Sequence, residues 1–354
     1  MSGLSLPLLV LVFLGAAAVI WVAGVQLSDQ TDVLSTRLHL GSALGGLILL
    51  AIATNLPEIA ITVTAAAAGN VGVAVGNILG GIAIQTVVLV ALDAFGVRGR
   101  RPLTYRAASL SLLLEGALVV GVLALVIAGS QLPHSLVFWR IGPASLLIAV
   151  LWVVGLLLLQ RAGNSLPWHE SGNAPDGQEH PRGHSAQQNE KKASGKGVST
   201  TRAALVFAAA ALATLVAGVV LERSGDAIAG HIGLTGVLFG ATVLAAATSL
   251  PELSTGLTSV RNGDFQLAVS DIFGGNAFLP VLFLLADLVG GKPALPQAHA
   301  SDVWMAVSGL VLTAVFIVGI VLRPRRKLGP FGPDSIAAIV LYALAILGLT
   351  QISG

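Results

Sequence analysis

Long apolar runs, separated by short polar breaks, recur along the whole chain. A bilayer core takes about 20 apolar residues per crossing helix, and ten runs meet that length: 5–27, 39–66, 71–95, 104–128, 136–160, 202–222, 232–259, 265–289, 302–322 and 333–351. The second and seventh each carry a proline in mid-run, Pro57 and Pro251. Proline ends a helix in water. In a membrane it is tolerated where the freed backbone groups face protein or a cavity. The first run, from Leu4 to Val25, has no basic segment before it and is long enough to span, so it reads as a helix and not as a cleaved signal. Residues 162–201 break the pattern with Gly, Ser, Gln, Lys, His and Pro and almost no aliphatics, the composition of a solvated linker. His169, Glu170, His180 and His184 lie there at spacings that match no metal-ligand pattern. The linker divides the chain into 1–161 and 202–354, with five spans in each part.

Composition agrees with embedding. Hydrophobic residues make up 55%, charged residues 10%, and the mean hydropathy is +0.88. A soluble domain carries about 25% charge. The chain has no cysteine, which excludes disulfides, thiolate metal sites and cysteine nucleophiles. A net charge of +2 gives no footprint for nucleic acid. Loops after odd-numbered spans hold 16 of the 19 Lys and Arg residues, and Arg140, Arg223 and Lys292 fall on the other side. The positive-inside rule then predicts a cytoplasmic linker and both termini outside, in a plasma membrane of the bacterial inner type.

The two halves repeat each other at an offset of 194 residues. Ala53-Thr54-Asn55-Leu56-Pro57-Glu58 aligns with Ala247-Thr248-Ser249-Leu250-Pro251-Glu252, Gly80-Gly81 with Gly274-Gly275, and Asp93 with Asp287. Between Leu44 and Gly96, 20 of 53 positions are identical without a gap. Five spans is an odd number, so the copies enter the membrane from opposite sides. The expected fold is an all-α integral membrane protein of about ten transmembrane helices, in two inverted five-helix repeats with interrupted helices 2 and 7. That architecture places a transporter's site near the midplane, between the repeats.

The repeated segment is a set of oxygen donors. Pro57 and Pro251 cannot donate to the carbonyls of Ala53 and Ala247. Glu58 and Glu252 follow at the start of the next half-helix, where the helix dipole favours a carboxylate. Thr54, Thr248 and Ser249 add hydroxyls and Asn55 an amide. Carboxylates, carbonyls, hydroxyls and amides suit hard cations such as Ca2+, Na+ or Mg2+. In the following spans Asn77, Gly81 and Gln85 share one helix face, and Asp271, Gly275 and Leu279 take those places in the second copy, with Asn276 beside them. An acid as deep in a span as Asp271 points to function. Asp93 and Asp287, at span ends, read as structural. Glu115 lies inside the fourth span with no evident partner.

These motifs resemble the cation/calcium exchanger superfamily, the sodium/calcium exchangers. Its alpha-repeats carry a Gly-Thr-Ser-Leu-Pro-Glu type motif followed by Gly-Asn-x-x-Gly-Ser-Asn. Here the pairs are residues 53–58 with Gly76-Asn77-Ile78-Leu79-Gly80-Gly81, and 247–252 with Ser270-Asp271-Ile272-Phe273-Gly274-Gly275-Asn276. The resemblance covers essentially the whole chain. It implies that Glu58 and Glu252 form the core of a Ca2+ site, and that Thr54, Thr248, Ser249 and backbone carbonyls assist Na+ binding. The chain departs from the pattern at Gly81 and Gly275, where the family has serine, and at Ile82 and Asn55. It departs again at Leu279, where a polar or acidic residue is expected, and at Asp271, where asparagine is usual. Oxygen ligands are lost and one acid is relocated, which leaves the driving ion open between Na+ and H+.

The expected function is therefore secondary antiport of Ca2+ or another hard cation against Na+ or H+, by alternating access. The predicted partners are inorganic cations and the lipid bilayer, with no nucleic acid and no cofactor. The sequence does not set the oligomeric state, and a monomer is compatible with it. The competing readings are an ion sensor or scaffold derived from an exchanger, a passive channel, and an intramembrane enzyme. The last lacks Gly-x-Gly-Asp, His-Glu-x-x-His and any histidine in the spans near the acids.

Overall fold

The computed structural model describes residues 4–37, 51–164, 199–233, 239–261 and 263–353. Most of the linker, with His169, Glu170, His180 and His184, lies outside these residues, as does 39–50 of the predicted second span. The principal helices are α1 (Leu6–Arg37), α2 (Leu56–Ala67), α3 (Val71–Ala91), α4 (Leu110–Ser130), α5 (Pro143–Asn164) and α6 (Thr200–Ile232). They continue with α7 (Leu250–Arg261), α8 (Phe265–Phe278), α9 (Leu282–Gly290), α10 (Ala300–Leu322) and α11 (Pro333–Ser353). Among the described residues, eight helical segments are long and apolar enough to cross a membrane.

Several boundaries differ from the expected spans. The fourth was expected from residue 104, yet α4 begins at Leu110. Leu103–Ala107 forms its own short helix, Ala108 leaves the helical path, Ser109 is extended, and the Ser109 hydroxyl accepts the Leu112 N–H at 3.2 Å. A serine N-cap of this kind satisfies a donor that the first helical turn leaves open. The fifth was expected from 136, but α5 starts at Pro143, after a tight turn in which Phe138 and Ile141 exchange backbone hydrogen bonds of 2.9 and 3.0 Å. The sixth continues ten residues past its expected end, through Glu222, Arg223 and Asp226, and stops where Gly233 turns left-handed at φ 70°. The eighth is split by Pro280, which forces a 3-10 turn over Leu279–Val281 between α8 and α9.

The repeat is visible in the packing. The helix α1 lies along α6, and each crosses the broken helix of the other half. A Cβ on Gly24 of α1 would stand 2.9 Å from Pro251 Cβ. A Cβ on Gly218 of α6 would stand 3.1 Å from Pro57 Cα. Gly24 and Gly218 are themselves related by the 194-residue register. Small residues allow helix axes this close, and in a membrane such packing substitutes for a hydrophobic driving force. The main core is built from α3, α4, α8 and α10, with Ile78, Ile82, Phe273 and Phe316 fully enclosed. A second core joins α1 to α6 through Leu9, Ile20 and Leu221. Outward-facing Leu157 and Leu158 of α5 and Leu344 and Leu347 of α11 are more than half exposed, an apolar perimeter suited to lipid tails.

Candidate functional site

Two helix breaks meet between these cores. Asn55 and Ser249 leave the helical path at φ −88°, ψ 15° and φ −83°, ψ 7°. Each reopens a helix at once, the Ile59 N–H donating to Asn55 O at 3.0 Å and the Leu253 N–H to Ser249 O at 3.1 Å. Glu58 and Glu252 therefore sit in the first turns of α2 and α7, both fully buried. The proline that follows each break leaves the carbonyls of Ala53 and Ala247 without an α-helical donor.

The repeats exchange neighbours at this point. Thr54 of the first copy faces the Glu252 carboxylate, and Thr248 of the second faces Glu58. The two carboxylates are close enough to repel each other. Gln85 of α3 reaches both sides, its amide nitrogen lying 3.4 Å from Glu252 Oε1 and 3.1 Å from Asn55 Oδ1. Asn55 in turn donates to Ala51 O at 2.7 Å. Gly275 of α8 closes the opposite wall, where an added Cβ would lie 3.0 Å from Asn55 Nδ2 and 3.3 Å from Gln85 Oε1.

Several of the predicted donors also make hydrogen bonds of their own. The Ser249 hydroxyl donates to Ala245 O at 2.8 Å, and Thr248 to the same carbonyl at 3.1 Å. The Asn276 amide donates to Thr86 Oγ1 at 2.9 Å. Asp271 accepts from Thr255 at 2.6 Å through Oδ2, and its charge bears on Glu252. Among the described residues no three His, Asp or Glu side chains converge into a metal cage. Any ion bridging the glutamates must therefore draw on neutral oxygens as well.

Several oxygens remain uncommitted. Both carboxylate oxygens of Glu58, Glu252 Oε2, Gln85 Oε1, Asn276 Oδ1 and Asp271 Oδ1 are buried and complete no hydrogen bond within the described residues. No Lys or Arg is fully buried there to balance them. A buried, unpartnered carboxylate is costly. Uncommitted oxygens on the residues around the two helix breaks are chemically suited to a cation.

Sequence reasoning overlooked Thr255, Thr86 and the Gly24–Pro251 and Gly218–Pro57 contacts. Thr255 carried a signal, since it lies three residues past Glu252 on the same helix face, where the first copy has Ile61. Glu115 was noted without a partner, and the structure sets it beside Ser270 with Oε2 unpaired.

The fold is that of an integral membrane protein, and the family match places it in the class of exchangers. A family model described as sodium/calcium exchanger protein matches residues 8–164 and 202–351. The chain belongs to the sodium/calcium exchanger family. It is 26% identical over 344 residues to a putative antiporter, CaxA, of Alkalimonas amylolytica, an alignment covering 90% of this chain and 93% of that one. It is 35% identical over 92 residues to sodium/potassium/calcium exchanger 1 of Homo sapiens, which is 25% of this chain and only 8% of the human protein. The fold matches the crystal structure of the H+/Ca2+ exchanger CAX with a TM-score of 0.64 at 13% identity, over 97% of this chain and 87% of that one.

Proposed function

We propose that the chain is a secondary active antiporter that exchanges Ca2+, or another hard cation, for Na+ or H+ by alternating access at a site centred on Glu58 and Glu252. The observation that carries this is the exchange of neighbours between the repeats, with both glutamates buried, facing each other's threonine, and without a basic partner among the described residues. Two like charges in an apolar bundle are tolerable when a cation lies between them or a proton neutralises one. The first state is loaded with substrate and the second with a counter-ion, which is the minimum an exchanger needs. The remaining donors are Thr54, Thr248, Ser249, Asn55, Gln85 and Asn276 with the carbonyls of Ala53 and Ala247. In this reading Asp271, through its unpartnered Oδ1, supplies a further carboxylate. The distribution of basic residues supports an inner-type membrane with the linker in the cytoplasm and both termini outside.

The test is uptake of labelled Ca2+ into proteoliposomes under an imposed Na+ gradient, an imposed H+ gradient, or neither. Uptake that follows one gradient and exceeds the gradient-free control supports antiport and names the driving ion. Uptake identical in all three conditions overturns it in favour of a channel, and no uptake together with Ca2+ binding favours a sensor.

A further inference from the structure

Away from the paired glutamates, a cavity of about 910 Å3 opens between the end of α10 and the loop before α4. Its lining includes Arg101, Arg323, Arg325 and Arg326, and no acidic residue. Two of these guanidinium groups approach the Tyr105 ring, with Arg101 Cζ 4.8 Å and Arg323 Cζ 4.6 Å from its centroid. Arg101, Arg325 and Arg326 are exposed.

The two walls are held in place by backbone. Arg323 ends α10 in the left-handed region at φ 47°, which turns the chain away from the helix axis. The Lys327 N–H then donates to Arg100 O at 2.8 Å, and Lys327 Nζ pairs with Asp93 Oδ1 at 3.2 Å. Asp93 is thereby matched to Lys327, and no acidic residue lines the cleft beside the exposed Arg101, Arg325 and Arg326. The remaining wall is aliphatic, formed by Val321 and Leu322 in the last turn of a membrane-spanning helix, 60% and 73% exposed.

We propose that this cleft binds the headgroup of an anionic phospholipid, its phosphodiester held by Arg101, Arg325 and Arg326 and its acyl chain lying along Val321 and Leu322. Guanidinium groups match phosphate oxygens in pairs. Basic pockets at the end of transmembrane helices hold anionic headgroups. A free phosphate would satisfy the arginines equally, but the exposed aliphatic wall at the end of an apolar span favours a ligand with a tail.

Native mass spectrometry of the intact protein in detergent tests this, with cardiolipin, phosphatidylglycerol, phosphatidylethanolamine and inorganic phosphate added separately. The expected result is retention of the two anionic lipids about tenfold above phosphatidylethanolamine, with most of that preference lost in Arg325→Gln/Arg326→Gln. Arg101→Gln, on the opposite wall, is a second probe that remains readable if the first variant folds poorly. Arg161→Gln/Arg202→Gln removes the same charge elsewhere and should keep the preference. Equal retention of all lipids overturns the proposal, as does unchanged preference in both cleft variants or equal loss in the control. Displacement of bound lipid by inorganic phosphate at matched concentration overturns the lipid as the occupant and leaves a free-anion site.

Discussion

The Gly332 N–H donates to Asp93 Oδ2 at 2.5 Å, across 239 residues and from one repeat to the other. Asp287, the repeat counterpart of Asp93, does the same in reverse, accepting the Gly142 N–H at 2.8 Å. Each acid also fastens its own half, Asp93 through the Leu103 N–H at 2.8 Å and Asp287 through the Ala294 N–H at 2.7 Å. Each clamp thus ties its own half to the turn that opens the other half's last helix. The clamps are unequal in charge. Asp93 also accepts from Ser335 at 2.9 Å and pairs with Lys327, whose side chain is itself buried and also reaches the Asp93 and Val97 carbonyls.

Asp93→Asn should therefore cost more stability than Asp287→Asn. Losing one partner of a buried ion pair costs about 3–5 kcal/mol, because the other charge stays behind. Losing a charge-assisted hydrogen bond costs about 1.5–3 kcal/mol. Thermal unfolding in detergent should show the larger drop in Tm for Asp93→Asn. Equal drops would mean that Lys327 contributes nothing to the clamp.

Glu58→Gln and Glu252→Gln keep the shape and remove the charge. Neither glutamate has a basic partner among the described residues, so neither change breaks an ion pair there, and each variant should stay folded with a Tm near wild type. Each should lose gradient-driven Ca2+ uptake by at least about a hundredfold, the scale on which a charged ligand differs from an amide at a dry site. Normal uptake by either variant would remove that residue from the proposed site.

Much of this was legible in the sequence, for identifiable reasons. Pro57 and Pro251 mark the helix breaks because proline removes a donor whatever surrounds it, and both breaks appear at the preceding residue pair. The 194-residue register carried the pairing of the two glutamates. What the sequence could not carry was contact between distant segments. Nothing in a helical pattern shows that Gly24 meets Pro251, that Asp93 reaches Gly332, or that the Asn276 amide donates to Thr86. Span ends were missed where a local device overrode hydropathy, as at the Ser109 cap, the turn before Pro143 and the 3-10 turn at Pro280.

Gly275→Ala and Gly81→Ala separate the two halves of the site. An added Cβ at Gly275 would press on the Asn55 and Gln85 amides at 3.0 and 3.3 Å, whereas at Gly81 it would meet Leu279 Cδ1 at an ordinary 3.5 Å. Gly275→Ala should lower apparent Ca2+ affinity several-fold by displacing Gln85 from Glu252, and Gly81→Ala should leave it within about twofold. Overpacking of this kind costs about 1–3 kcal/mol. Isothermal titration of the purified variants reads both effects.

Gly24→Ala and Gly218→Ala probe the crossing of α1 and α6 over the broken helices. At Gly24 the new Cβ would fall 2.9 Å from Pro251 Cβ, and at Gly218 it would fall 3.1 Å from Pro57 Cα and 3.3 Å from Pro57 O. Prolines that open half-helices have little freedom to yield, so each substitution should push a glutamate-bearing segment away from its partner. Both should reduce transport rate more than they reduce Ca2+ binding, since the crossing lies behind the ligands. A variant with unchanged rate would show that the two crossings do not constrain the exchange step.

Glu115 offers a test of cost against use. Its carboxyl group is buried in α4 beside Ser270, with Oε2 completing no hydrogen bond. Removing a buried polar group along with its unmet demand, in favour of an apolar side chain of similar shape, is neutral or stabilising. Glu115→Leu should accordingly raise Tm, by an amount corresponding to about 1 kcal/mol. If the carboxyl is only a packing defect, transport will be unchanged. The neighbour of Ser270 in the chain is Asp271, which bears on Glu252 through its charge, so Glu115 stands one residue behind the proposed ion path. The expected outcome is a stabler protein with slower gradient-driven Ca2+ uptake, restored in part by Glu115→Asp but not by Glu115→Gln. Full activity in Glu115→Leu would show that the acid is dispensable and that its position beside Ser270 has no bearing on exchange.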